Sequence, residues 1–307
     1  MAEANRDRIE PDPAQEASVA GNPLLEKTVD EISALEPISA ACTHLLQLIG
    51  DRRSSVDDLA ASIDPGMTAG LLRLANSAHY GHARQVTTLH DALLIIGFGP
   101  VQAAALSGCV ANSFNQRDSR FDTEAFWFFS VTIAQLTQLI AVANHRHVNE
   151  AFTAGILHGL GRLALAQYYP DELETAKLLA AGGGFSLSQA QLEVFGFTDA
   201  ELGSALAARW DFPTDLVEVI AQHQLDNTIP MSNVSLADDV ARARKYALAY
   251  GLTDGVQVRE RGDPDAEWFV APLSRALAKA GGMPGLRKTG QEFIEQALGV
   301  SVDRLTH

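Results

Sequence analysis

Chemistry could sit in the segment 149–169, NEAFTAGILHGLGRLALAQYY. Phe152, Ile156 and Leu160 recur at spacings of four, with Leu157 and Leu163 beside them, which predicts an amphipathic helix with one broad apolar face. His158 falls in the middle of that face. An imidazole there is a metal ligand, a proton carrier or a core residue whose ring nitrogens are satisfied by neighbours. Gly159 and Gly161 let a second backbone come close, or let the helix break and restart. Arg162 lies four residues after His158, on roughly the same face. Together with His223, Asn76 and Tyr80 it would line a cleft for a ligand or a partner. Alternatively, Arg162 pairs with a carboxylate such as Glu150 or Asp171 and holds two halves of the molecule together, and this structural reading is preferred.

Other constellations are poorer. His79-Tyr80-Gly81-His82 and His145-Arg146-His147 bring imidazoles close, but both follow helix ends, where histidines commonly satisfy terminal carbonyls. Gly182-Gly183-Gly184 lacks the Lys and Ser/Thr of a phosphate loop and reads as a linker. Gly97-x-Gly99-Pro100 precedes a helix and could cradle an anion, although a tight helix–helix turn explains it as well. Ser77, Ser107 and Ser130 have no assigned base, so nucleophilic catalysis finds no support.

These residues must be positioned by helices. Apolar positions recur at helical spacing from Pro23 onward, and no stretch alternates as a strand does, so the fold class is all-α. Start signals are frequent: Ser55 with Asp58, Asp64-Pro65, Thr87 or Thr88, Asp122, Asn149, Ser186 or Ser188, Thr198 with Glu201, and Pro213. The boundaries expected are a disordered tail at 1–22, a helical bundle at 23–117, a second bundle at 118–231, and C-terminal helices at 232–307 packing on the second bundle.

The 307 residues are 47% hydrophobic and 20% charged, an ordinary globular balance. Lys and Arg total 23 against 38 Asp and Glu, and the net charge of −15 repels nucleic-acid phosphate and anionic lipid. No basic patch overrides it. A helix-turn-helix reading of 56–76 is possible, but its second helix has only Arg73 as a cation, and groove binding needs several contacts. The low-charge stretches 92–116 and 125–144 read as buried core helices, so no membrane partner is expected. Cys42 and Cys109 form no C-x-x-C pair and no signal peptide is seen, which points to the cytoplasm.

LLRLANSAHYG at 71–81, followed by LHDALLIIGFGPVQAAALS at 89–107, resembles the HDOD family, the HD-related output domains. AFTAGILHGLGRLAL, FGFTDAELGSALAARWDFP at 195–213 and AQHQ at 221–224 resemble the same family in the same order. The resemblance implies an all-α bacterial signalling domain related to HD metal-dependent phosphohydrolases but without their activity. HD hydrolases bind metal through imidazoles and carboxylates, including an adjacent His-Asp pair. Aligned on that pattern, this chain has Phe129 at a ligand position, His158-Gly159 for His-Asp, Asp199 for a histidine, and only His223 from a double-histidine site. Too few donors remain, so neither metal nor cofactor is expected and the protein is read as no enzyme. The expected work is regulation by binding a protein partner or small ligand. Such domains are often fused to receiver, kinase or cyclic-dinucleotide modules; none is read here, so input or output is expected from a separate molecule. The oligomeric state stays open. Two alternatives are a residual nucleotide phosphohydrolase and a nucleic-acid regulator.

The tail lacks an apolar face to offset the entropy of ordering it. Brief proteolysis should therefore trim it and leave a resistant core starting near Pro23; a tail that survives while exposed loops are cut would contradict this.

Overall fold

The computed structural model describes residues 22–35, 44, 45, 48, 55–63, 65–77, 80, 85–113, 120–145, 148–224, 235–253 and 271–298. Residues 1–21 of the tail expected at 1–22, Asp64, Cys42, the histidines 79, 82 and 147, and most of the helix expected at 38–49 lie outside them. Every regular element among the described residues is helical, as the apolar periodicity requires.

The centre of the molecule is α6 (Thr123–Ala143), started by the Asp122 carboxylate accepting from the Ala125 amide at 2.9 Å. It presents apolar residues on nearly all sides, and Phe126, Trp127, Phe129, Ile133 and Leu136 are all buried. It is long and apolar enough to cross a bilayer, yet most of it is enclosed by other helices. Packed on it are α7 (Val148–Leu157), α13 (Leu236–Ala249), α14 (Ala271–Lys279) and α15 (Gly282–Phe293). Gly155 makes the α6–α7 crossing close: a Cβ there would lie 2.5 Å from the Ala134 Cα.

On the N-terminal side, α2 (Val56–Ala61) and α3 (Pro65–Ala75) pack on α4 (Leu89–Ile96). The expected Ser55–Asp58 capping box is present, and Thr88 caps α4. Gly97, at φ +95°, then turns the chain by 113° into α5 (Phe98–Ser113), so the Gly97-x-Gly99-Pro100 stretch is a tight helix–helix turn.

Two elements pack away from their neighbours in sequence. α1 (Pro23–Leu35), grouped above with the N-terminal bundle, lies instead against α11 (Asp199–Arg209). The Asn22 amide donates to the Gly196 carbonyl at 2.7 Å, and Asp30 pairs with Arg209. Conversely, the π-helical turn Ile294–Leu298 after α15 reaches α3 and α5 in the N-terminal bundle. It contacts α3 at Gly70, where a Cβ would lie 2.7 Å from the Gln296 carbonyl oxygen. Arg73, the lone cation of the supposed recognition helix, donates to Gln296 from Nε at 3.2 Å and from Nη2 at 3.3 Å.

Leu71 and Leu74 of α3 are 0% and 2% exposed. Leu71→Asp or Leu74→Asp puts an unpaired charge into that core and should cost about 3 kcal/mol or more in urea unfolding. A change below about 1 kcal/mol would mean that this face is wetted.

Candidate functional site

The segment 149–169 holds two helices, the break and restart that its glycines allow. α7 stops at Leu157, His158 and Gly159 form a turn, and α8 (Leu160–Tyr168) starts afresh. The start differs from expectation: α7 begins at Val148, one residue before Asn149. Gly159 sits against the Phe126 ring, with Cε2 only 2.8 Å from where a Cβ would be. Gly161 does something else. A Cβ on it would lie 1.8 Å from the Asp199 carbonyl oxygen and 2.6 Å from the Gly203 nitrogen, so two glycines bring the backbones of α8 and α11 together. That approach sets Arg162 against the first residue of α11. The end of α11 is fixed by the Thr198–Glu201 capping box, which leaves the side chain of Asp199 free for other partners.

The resulting centre is closed. His158, Arg162, Asp199 and His223 are 3%, 2%, 2% and 3% exposed. Arg162 places Nε at 2.6 Å and Nη2 at 2.5 Å from Asp199 Oδ2. Asp199 Oδ1 accepts from Gln224 Nε2 at 2.7 Å, and Gln224 Oε1 accepts from the Ser188 hydroxyl at 2.8 Å. The backbone N–H of Asp199 donates to Gln191 Oε1 at 3.1 Å. The network thereby joins α8, α11, the residues after α12 (Thr214–Gln222), and α10 (Leu187–Phe195). The His158 and His223 rings meet edge to face at 5.1 Å, and Phe129 lies 6.1 Å from His158. His158 Nδ1 is 2.6 Å from the Gly155 carbonyl and His223 Nδ1 is 2.7 Å from the Ile220 carbonyl. A carbonyl only accepts, so each Nδ1 carries a proton.

Burial and charge act in opposition on these groups. Burial alone would raise the Asp199 pKa, but the Arg162 charge, with bonds from Gln224 and Arg162, holds it below the ordinary carboxylate value. His223 is pushed down to about 4, first by burial and then by the Arg244 guanidinium, against the pull of Asp199. It is therefore neutral at pH 7.

Of the five residues expected to line a cleft, His158, Arg162 and His223 come together, sealed inside rather than on an open wall. Asn76 has a different job. Its amide donates to the carbonyls of Leu72 and Val86 and accepts from the Val86 N–H, all at 2.8 Å, pinning the strand of chain before α4. Tyr80 is mostly buried, and its hydroxyl is pushed up to about 12, by burial and then by Glu292. The partner of Arg162 is neither Glu150 nor Asp171, because the break at Gly159 aims α8 at α11; Asp171 instead pairs with Arg120 at 2.8 Å on the surface. The parts that Gln191, Gln224 and Arg244 play here are not legible in the sequence, where Ser188 offers only a possible helix start. Gln191 is one of four polar residues in the helix LSQAQLEVF, so nothing in the sequence distinguishes it.

A metal of the kind that HD hydrolases hold does not fit here. Phe129 and Gly159 offer no donor, and both Asp199 oxygens already accept from side chains. Among the described residues no three His, Cys, Asp or Glu side chains are arranged to hold a metal ion.

A histidine whose folded pKa lies below its unfolded value of about 6.5 favours the native state only where it is neutral. Stability should therefore fall as pH drops from 6.5 towards 4, by on the order of 3 kcal/mol at most. Asp199, with its lowered pKa, adds a further loss below its unfolded value near 3.9. Urea titrations at pH 7 and pH 4.5 measure this, and His223→Gln should flatten the dependence; an unchanged slope would place it elsewhere. Gly159→Asp should destabilise through the Phe126 contact without gaining a metal, as a thermal melt with and without Zn²⁺ would reveal.

The comparisons agree with this architecture. The HDOD domain family matches residues 35–225. A crystal structure of an HDOD domain protein from Geobacter sulfurreducens superposes with a TM-score of 0.74 at 19% identity, covering 92% of this chain and 99% of that one. A Shewanella amazonensis SB2B protein, provisionally named a phosphohydrolase, gives 0.63 at 26% identity over 90% of this chain and 96% of its own. A Treponema pallidum (strain Nichols) protein is 22% identical over 207 residues, and the match spans 65% of this chain but only 39% of that relative. With its helices, its ordered motifs and the family match over most of its length in agreement, the chain belongs to the HDOD family.

Proposed function

We propose that this protein is a non-catalytic regulatory module that works in the cytoplasm by binding a protein partner. The observation that carries the reading is the sealed centre. Catalysis needs a reacting atom within reach of the donors and a water or substrate between them. Here the four groups are buried, and the carboxylate is engaged on both oxygens by Arg162 and Gln224. A small ligand at this centre would have to displace an ion pair, so binding is assigned to the outer surface. The hairpin of α9 (Pro170–Ala181) and α10 leaves Leu178, Phe185 and Leu192 exposed, the kind of apolar outcrop that a protein contact covers.

A residual phosphohydrolase is the second reading, favoured by the Shewanella protein's provisional name. Nucleic-acid binding gains nothing, since Arg73 is already engaged by Gln296.

Complementation of a deletion strain of the source organism separates the two readings. His158→Gln, which removes the imidazole aligned with the His of the HD pair, should restore the lost phenotype like the wild type. Leu178→Asp/Leu192→Asp, with an unchanged melting temperature, should fail to restore it. The opposite pattern, accompanied by metal-dependent phosphomonoester hydrolysis that Asp199→Asn abolishes, would put the hydrolase reading first.

A further inference from the structure

The five positions that the family resemblance aligns with metal ligands are linked to Arg162 by direct contact, by chain or through one another. Asp199 is bonded to its guanidinium directly, and His223 lies close enough to feel its charge. His158 stacks edge to face on His223, and Phe129 stands behind His158. Gly159 is the turn that starts α8 three residues before Arg162. A centre of this make-up needs a cation. A buried carboxylate without one would exchange its hydration for the single bond from Gln224. A guanidinium answers that need, because it is a planar fork of donors that never deprotonates in a protein. The chain also goes to structural lengths to deliver it. The Gly161–Gly203 contact, closer than any side chain on either residue would allow, brings the backbone of α8 against the start of α11.

We propose that the Arg162 guanidinium is the resident cation of this centre, standing covalently where an HD-type site holds a dissociable metal ion, and thereby excluding divalent metal. The inference rests on the non-catalytic reading above and extends it. A charge tethered to α8 cannot be chelated, exchanged or lost by dilution, so α8, α10, α11 and α12 stay locked together at any metal concentration. Metal availability is then no input to this domain.

The test is replacement of the tethered cation by a free one. Thermal melts and equilibrium dialysis are run on wild type, Arg162→Ala and Arg162→Ala/Asp199→Asn, with Zn²⁺ or with methylguanidinium at low millimolar concentration as the probes. Wild type should retain no stoichiometric Zn²⁺. Arg162→Ala should melt about 5–10 °C lower and recover at least half of that with either cation. The recovery should vanish in the double variant, which separates it from zinc held by surface histidines. Wild-type zinc binding that depends on Asp199, or an Arg162→Ala protein that neither cation stabilises, would overturn the proposal. If Arg162→Ala does not fold, Arg162→Lys and Arg162→Met decide instead. The lysine variant should be the more stable because it keeps the charge, and a methionine variant as stable or more so would overturn it. Failure here leaves the complementation result untouched, so the two readings fail separately.

Discussion

Two opposite charges removed from water stabilise a protein only when each is held by further hydrogen bonds in fixed geometry. The carboxylate of the Arg162–Asp199 pair meets that condition. Nε and Nη2 of the arginine share one carboxylate oxygen, Gln224 takes the other, and Ser188 orients Gln224 in turn. Breaking one member would strand a buried charge, which costs about 3–5 kcal/mol. The surrounding helices are arranged as if to guarantee the pair. Gly155 lets α7 close on α6, the turn at Gly159 redirects the chain, and Gly161 and Gly203 bring α8 onto α11.

From this centre the rest of the domain follows by packing. The apolar α6 supplies a surface on which α7, which leads into His158, and the C-terminal helices rest. α1 closes over α11 from one side, and the π-helical turn after α15 reaches across to α3 on the other. The two ends of the described chain therefore each clamp a part of the molecule distant from them in sequence. Such long-range closure keeps the centre dry, and dryness is what lowers the His223 pKa and strengthens the ion pair.

Much of this was legible in the sequence, and for local reasons. The Ser55–Asp58 and Thr198–Glu201 boxes and the Asp122 cap are short-range bonds written into adjacent residues, and the apolar stripe of α6 is a periodicity. The family motifs brought His158, Asp199 and His223 into consideration before any coordinates. The partner of Arg162 was not legible, because it depends on the angle at which α8 leaves the Gly159 turn and on a glycine contact 42 positions away in sequence, from 161 to 203. Asn76 was misjudged for a similar reason. A conspicuous polar side chain beside a loop was read as facing a cleft, while its three bonds close the loop back onto its own helix.

The central claim is that the buried pair, not the shape of either side chain, holds this centre together. A double-mutant cycle on Arg162→Met and Asp199→Leu, measured by urea unfolding at pH 7, tests this most directly. Each single change should cost about 3 kcal/mol or more, and the double change should cost less than their sum by at least about 2 kcal/mol. Additive losses, with an interaction energy within about 0.5 kcal/mol of zero, would contradict it.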